Sequence, residues 1–433
     1  METHKVLLIG SGGREHAIAW GLAKSPLLDA LFIAPGNPGT AQFGTNVDLD
    51  VDDHDAVLEF CEENGITLVV IGPEKPLVDG LTDYLEDYGY AVFGPSKAAA
   101  RLEGSKSYSK TIMQKYEIPT AGYHVFERHE VSNIRDFISE MAIFPVVLKV
   151  DGLAAGKGVF ICDSAEEADG VLDTILNDVS LSAAADFFVL EEFMQGEEVS
   201  VFAVSDGKTA KLIGYAQDHK RIGNQDTGLN TGGMGAYAPA PILDEAALQH
   251  IFETIIQPTI DAMAAESTPY KGILYTGLMM TAAGPKVVEY NCRFGDPECQ
   301  VIVPALEQDL LEMMLMSVNE RLEYASFTTK PGFFCSVVMA SKGYPGSYSK
   351  GFPINGLGLV DADVLVFQSG TADKDGDIVT NGGRVLNVVG YGETLKQAID
   401  SAYSSVEKIH FDGAYYRTDI GMKGLRRVDS SIS

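Results

Sequence analysis

The chain alternates short apolar runs with amphipathic stretches, and each change of period marks a structural unit. Lys5-Val-Leu-Leu-Ile9, Ala30–Ala34, Thr67–Ile71 and Tyr90–Phe93 are apolar runs of buried-strand length. Stretches with helical spacing separate them, an Ala/Leu-rich one after Gly13 and another over Asp55–Glu63. Such alternation predicts an open parallel sheet with helices on both faces. Gly/Pro/Asn-rich turns close the strands at Gly10–Gly13, Pro35–Thr40 and Gly72–Pro76. In sheets of this kind ligands bind beyond the carboxyl ends of the strands, where these turns fall.

The pattern then shifts. Residues 96–116 predict a helix interrupted near Gly104-Ser105, where the serine can recap it. Phe144–Val150, Val159–Cys162 and Phe187–Phe193 predict three strands of a small α/β region. Ser164–Asp178 between them predicts an amphipathic helix, with Ser164 and Glu167 in capping-box spacing. Longer strands are predicted over 196–204, 211–216, Ile273–Thr281 and Lys286–Asn291, with a helix over Asp244–Ala265. Residues 217–237 are dense in glycine with almost no apolar period, and predict a loop held close to something. Beyond Pro331 short strands at Phe333–Ala340, Val364–Ser369, Asp377–Thr380 and Arg384–Gly390 precede a helix over Thr394–Ile409. The expected division is 1–103, an N-terminal α/β substrate domain; 104–194 and 195–329, a small α/β lid and a larger sheet; and 330–433, a β-rich C-terminal domain.

Charge and cysteine usage narrow the function classes. With 32 basic and 61 acidic residues the formal charge is −29, a field that repels nucleic acid. No apolar run approaches the ~20 residues of a membrane span. The first strand begins directly after Met1–His4, so no secretory signal is expected. Five scattered cysteines without a CxxC pair suit reduced thiols and a cytoplasmic home. Anionic substrates would then need local basic groups. Lys149, Lys157, Lys220-Arg221 and Arg293 all sit in glycine-rich or turn-like segments.

Three stretches carry candidate chemistry. Gly10-Ser-Gly12-Gly13-Arg14-Glu15-His16 opens a helix but lacks the third glycine of the dinucleotide fingerprint, and the second strand ends without an acid. A nicotinamide-dependent oxidoreductase is therefore set aside. The turn suits a single phosphate, or no ligand at all. Lys149-Val-Asp-Gly-Leu-Ala-Ala-Gly156-Lys157-Gly158 joins two strands, so it is not the strand-to-helix P-loop and lacks that motif's hydroxyl residue. It suits a mobile hairpin over a nucleotide's phosphates, with Lys149 as a point charge, or a plain flexible hairpin. Val287-Val-Glu289-Tyr-Asn291-Cys-Arg293-Phe-Gly295-Asp296 places Glu289 and Asn291 on one strand face. Two such oxygen donors suit Mg²⁺ shared with phosphates, or a hydrogen-bonded buried pair. Arg293 and a tight turn follow at once.

These stretches, with Gly36-Asn-Pro-Gly-Thr40, Gln217-Asp-His-Lys-Arg221, Asn230-Thr-Gly-Gly-Met-Gly235 and Arg293-Phe-Gly-Asp-Pro-Glu298, resemble the phosphoribosylamine–glycine ligases, ATP-grasp enzymes of purine synthesis, over essentially the whole chain. The resemblance implies ATP-dependent joining of glycine to 5-phosphoribosylamine through a glycyl phosphate, with Mg²⁺ or Mn²⁺ on Glu289 and Asn291. It implies ATP contacts from Lys106, Lys149, Gly156, Lys157, Gly158, Glu191, Phe193 and Glu198, with Lys149 and Arg293 acting in the chemistry. Substrate contacts are implied for Gly12, Gly13, Asn37, Gly39, Asp218, Lys220 and Arg293, in a monomer or weak homodimer with no nucleic-acid or membrane partner. Ile273–Met280 carries no acid where many ATP-grasp enzymes place a metal ligand, which leaves a second fully protein-held metal in doubt. Another ATP-grasp ligase or purine-pathway carboxylase, and a non-catalytic nucleotide sensor, are the remaining alternatives.

Overall fold

The computed structural model describes residues 3–141, 143–153 and 158–432. In the N-terminal unit five parallel strands stand in the order Thr45–Asn46, Leu28–Pro35, His4–Gly10, Leu68–Ile71, Val92–Phe93. The apolar runs read from the sequence supply four of them. Thr45–Asn46 is too short to show a period. Helices Gly13–Leu22 and His54–Asn64 cover the sheet.

Helices Lys97–Gly104 and Lys106–Lys115 meet at Ser105, which ends one and caps the other by accepting from the Tyr108 N–H at 3.2 Å. The break is the expected one, and its capping serine explains it. Next comes an antiparallel sheet in the order Tyr123–Glu127, Phe187–Glu192, Val146–Val150, Val159–Cys162. Helices Val131–Glu140 and Ala165–Asn177 bury Ile134, Ile138, Leu172 and Ile175 against it.

The largest sheet has nine strands, and it runs through the expected division at 330. Gly284–Asn291, Lys271–Thr281, Glu197–Asp206 and Ala210–Asp218 lie side by side. Gly235–Ala238 continues the sheet and pairs with Phe333–Ser341, so the C-terminal strands extend the same layer. The glycine-dense stretch expected as loop is therefore partly strand: the hairpin Arg221–Gly223/Thr227–Asn230, then Gly235–Ala238 with Ala236 and Tyr237 fully buried. Its apolar run is too short to register as a period. The helix expected over Asp244–Ala265 widens to a π-turn at Phe252–Ile256, beside Pro258, which has no N–H for the regular ladder.

Candidate active site

A cleft of about 1430 Å³ opens between the small antiparallel sheet, the large sheet and the C-terminal strands. Lys106, Lys149, Gly158, Glu191, Phe193, Glu198, Asp218, Lys220, Glu289, Asn291 and Arg293 all line it. Gly156 and Lys157 lie outside the described residues. Although the chain is strongly acidic, Arg14, Lys110, Arg384 and Lys423 also face this cleft, as anionic substrates require.

The nucleotide end is built from the central strands of the small sheet. Lys149 Nζ pairs with Glu191 Oε1 at 2.8 Å, and Lys110 Nζ with the other oxygen at 3.1 Å. Burial pulls the Lys110 ammonium down to about 8, with Glu191 opposing. Lys110 also donates to Thr120 Oγ1 at 2.8 Å, and that hydroxyl donates to Val287 O at 2.7 Å. The Glu191 carboxylate thus faces inward and holds Lys149 in place; adenine recognition at this position would fall to the strand's backbone. Lys106 begins its helix and donates to Gly152 O at 3.1 Å, beneath the glycine loop. Phe193 stays partly exposed at the mouth.

Glu289 and Asn291 alternate on the edge strand, both half-buried and both on the cleft. Among the described residues Glu289 forms an ion pair with Lys220 alone, at 3.9 Å. No cluster of three or more His, Cys, Asp or Glu among the described residues could hold a metal unaided. One carboxylate and one amide oxygen suit a hard cation that takes its remaining ligands from water and phosphates.

Lys220 donates to Glu198 Oε2 at 2.6 Å. Burial pushes the neighbouring Asp218 carboxyl up to about 7; Lys220 opposes the shift and Glu298, Glu198 and Glu289 add to it. An unfolded aspartate titrates at about 4, so the folded state binds this proton more tightly. The stability tied to it is complete below that pH and is lost as pH rises through about 7. Asp218→Asn stays neutral throughout. Its melting temperature is expected to gain several degrees on wild type between about pH 4 and pH 8. A difference that stays constant across that range would remove the titration from Asp218.

Beyond the strand Gly284–Asn291, Arg293 spreads three donors over three acceptors: Nε to Glu74 Oε2 at 3.2 Å, Nη2 to Glu103 Oε1 at 3.0 Å and Nη1 to Phe294 O at 3.1 Å. A guanidinium has five N–H groups, so two remain for a substrate. Burial raises the Glu74 carboxyl, but Arg293 and Arg14 outweigh it and hold the group at about 2. Asp296 takes Gln300 Nε2 at 2.9 Å and pairs with Arg384 at 3.3 Å, which ties the C-terminal strands to the turn.

The N-terminal glycine turn abuts this same corner. Arg14 N–H points at Asp296 Oδ2 at 3.4 Å, and a Cβ on Gly13 would come within 2.4 Å of Ser369 Oγ and 2.6 Å of Gln300 Nε2. Only glycine allows that approach. A Cβ on Gly39 would overlap His16, whose Nδ1 accepts from the Gln368 N–H at 2.7 Å. The Asn37 carboxamide is fully used within the loop and between it and two neighbouring segments. Its nitrogen donates to Ser11 O and Gln368 O at 2.8 and 2.9 Å, and its oxygen accepts from the Gly39 and Thr40 N–H groups. A sugar contact from that side chain would have no free polar atom, so Asn37 shapes the turn and the backbone is what it offers. Sequence reasoning gave no site role to Glu74, Glu103 and Lys110, whose ion-pair partners lie far away in the chain, and left open whether the turn at Gly382-Gly383-Arg384 touches the site; Arg384 does line the cleft.

Comparison with known proteins places this architecture. Phosphoribosylglycinamide synthetase domain profiles match along the chain: the N domain over residues 4–103, the ATP-grasp (A) domain over 104–299 and the C domain over 334–423. A phosphoribosylamine–glycine ligase of Agrobacterium fabrum is 48% identical over 423 residues, covering 98% of this chain and 99% of its own. The chain belongs to the phosphoribosylglycinamide synthetase family. The crystal structure of the phosphoribosylamine–glycine ligase of Thermotoga maritima, 36% identical, superposes with a TM-score of 0.83 over 96% of this chain and 100% of its own. A Campylobacter jejuni biotin carboxylase shares the fold alone, with 14% identity and a TM-score of 0.74 over 98% and 95% of the two chains. The family is one of ATP-dependent ligases of purine synthesis, and the chain is an ATP-grasp ligase with small-molecule substrates.

Proposed function

We propose that the cleft joins glycine to 5-phosphoribosylamine, giving glycinamide ribonucleotide, ADP and phosphate. The observation that carries this reading is the meeting of Lys106, Lys149, Glu289, Asn291 and Arg293 on one cleft in a chain of this family. Lys106 and Lys149 hold the ATP phosphates, and the Glu198 carboxylate beside Lys220 suits the ribose. The Phe193 end of the strand, with the backbone of Glu191, receives adenine. Glu289 and Asn291 hold Mg²⁺ or Mn²⁺, which when bound neutralises charge on the phosphates.

A glycine carboxylate oxygen attacks the γ-phosphorus, ADP leaves, and glycyl phosphate forms. The amine of phosphoribosylamine then attacks the glycyl carbonyl. The amide bond forms, the carbon–oxygen bond to phosphate breaks, and the amine loses a proton. Phosphoryl transfer depends on positioning and charge more than on a protein nucleophile, so the cleft needs no Ser–His or Cys–His pair. The free N–H groups of Arg293 face the glycine carboxylate. Gly12, Gly13 and the Asn37–Gly39 turn bound the phosphoribosyl end, with Asp218 and Lys220 near the reacting groups. Gly158 lines the cleft where the acyl phosphate forms, and exclusion of water there protects that intermediate.

The enzyme works in the cytoplasm as a monomer or weak homodimer, apart from nucleic acid and membranes. The charge of −29 supports the absence of a nucleic-acid partner, and the five free, buried cysteines support the cytoplasmic setting. No helix among the described residues is long and apolar enough to cross a membrane. The test is ADP release from ATP and Mg²⁺, with glycine and freshly generated phosphoribosylamine added singly and together. Release is expected to need both. Equal release with another carboxylate in place of glycine would overturn the substrate assignment and keep the nucleotide site.

A further inference from the structure

Glu103 closes the helix Lys97–Gly104 and has no part in the chemistry above, yet its side chain is only 7% exposed at the cleft. Three consecutive residues of the metal strand and its turn converge on it. Oε2 accepts from the Cys292 N–H at 2.7 Å. Oε1 accepts from Arg293 Nη2 at 3.0 Å. The Asn291 carboxamide lies against Glu103 Oε1 and Tyr290 O, two acceptors that pair with it only when its nitrogen is turned toward them, at 3.0 and 3.2 Å.

An asparagine can ligate a hard cation only through Oδ1; turned over, it presents two N–H groups and repels the ion. The strand fixes where the Asn291 carboxamide sits, but not which end faces the cleft. Its neighbours on the inner side, Glu103 Oε1 and Tyr290 O, are both acceptors. The nitrogen must therefore point inward, which turns the oxygen outward. We propose that Glu103 is a positioning residue that selects the metal-facing orientation of Asn291 and seats Arg293 beside it. This rests on the reading of Glu289 and Asn291 as metal ligands.

The test is Mn²⁺ binding to the full chain in the presence of ADP, followed by electron paramagnetic resonance, with thermal melting in parallel. Glu103→Gln keeps the shape but can donate to Asn291 Oδ1 and so favour the wrong orientation. It is expected to weaken Mn²⁺ binding by about 10–100-fold, the usual cost of losing a group that orients a ligand. In an Asn291→Asp background both ends are oxygens and no orientation is left to choose. There Glu103→Gln selects no orientation and is expected to leave Mn²⁺ binding within a few-fold of the Asn291→Asp parent. Equal losses in both backgrounds would make Glu103 merely structural and overturn the proposal, as would wild-type affinity in Glu103→Gln alone. Wild-type affinity in Asn291→Ala would overturn instead the metal reading beneath it. If Glu103→Gln does not fold, Glu103→Asn against Glu103→Asp makes the same comparison with less bulk.

Discussion

Glu289→Ala is expected to lower kcat by about 10²–10³-fold, the scale seen when one preorganised electrostatic group is lost from a transition state. It is expected to do so with little change in stability. Glu289 is half-buried, and its side chain, 35% exposed, makes among the described residues only a long ion pair with Lys220 at 3.9 Å. Exposed pairs of that kind are worth about 0–1 kcal/mol. The functional loss is large for a different reason. Among the described residues no carboxylate cluster could take over the metal, so Asn291 would hold it alone. Steady-state ADP release over a Mg²⁺ series, beside a melting curve, separates the two effects. Raised Mg²⁺ is expected to recover part of the rate, because water can replace one ligand but not its charge. Wild-type kcat at ordinary Mg²⁺ would remove Glu289 from the metal site.

What could be read in advance follows a physical division. Lys5–Ile9 and Thr67–Ile71 announce themselves because a buried parallel strand must be apolar on both faces. Glu289 and Asn291 could be paired because strand residues two apart share a face. The break at Ser105 was visible because capping is local. Glu103 was not. Its partners Cys292 and Arg293 lie 189 and 190 residues away, and no period in its own helix marks the contact. The inward turn of Glu191 was hidden for the same reason: alternation gives a strand face, but only packing shows Lys110 and Lys149 waiting on it. Asn37 shows the same limit, because its motif does not reveal that Ser11, Gln368, Gly39 and Thr40 take up its carboxamide. The join between Gly235–Ala238 and Phe333–Ser341 is a pairing between segments that share no local signal, so a sheet spanning two expected domains could not be foreseen.

Arg293→Lys is expected to reduce kcat/KM for glycine by at least about 10²-fold and to lower the melting temperature as well. The arithmetic of donors explains why. Arg293 satisfies Glu74, Glu103 and Phe294 O from three different nitrogens and keeps two N–H groups in reserve. A lysine brings three N–H groups on one nitrogen, and that point cannot sit near all three acceptors. If it serves them it has nothing left for glycine; if it serves glycine, buried carboxylates lose their partner. Loss of a buried pair's partner costs about 3–5 kcal/mol in full, so a lysine that keeps part of the charge is expected to lose less. The pH dependence carries a sign. Glu74 is held at about 2, below its unfolded value, so its contribution is present above about pH 4 and is lost as pH falls through about 2. Weakening the cation shrinks that contribution. The stability gap between Arg293→Lys and wild type is therefore expected to be widest near neutral pH and to narrow toward acid. Unfolding by urea at a series of pH values reads the gap, and glycine kinetics read the site. A variant with wild-type kcat/KM for glycine but the same pH-dependent stability loss would leave Arg293 as the anchor of two carboxylates and nothing more.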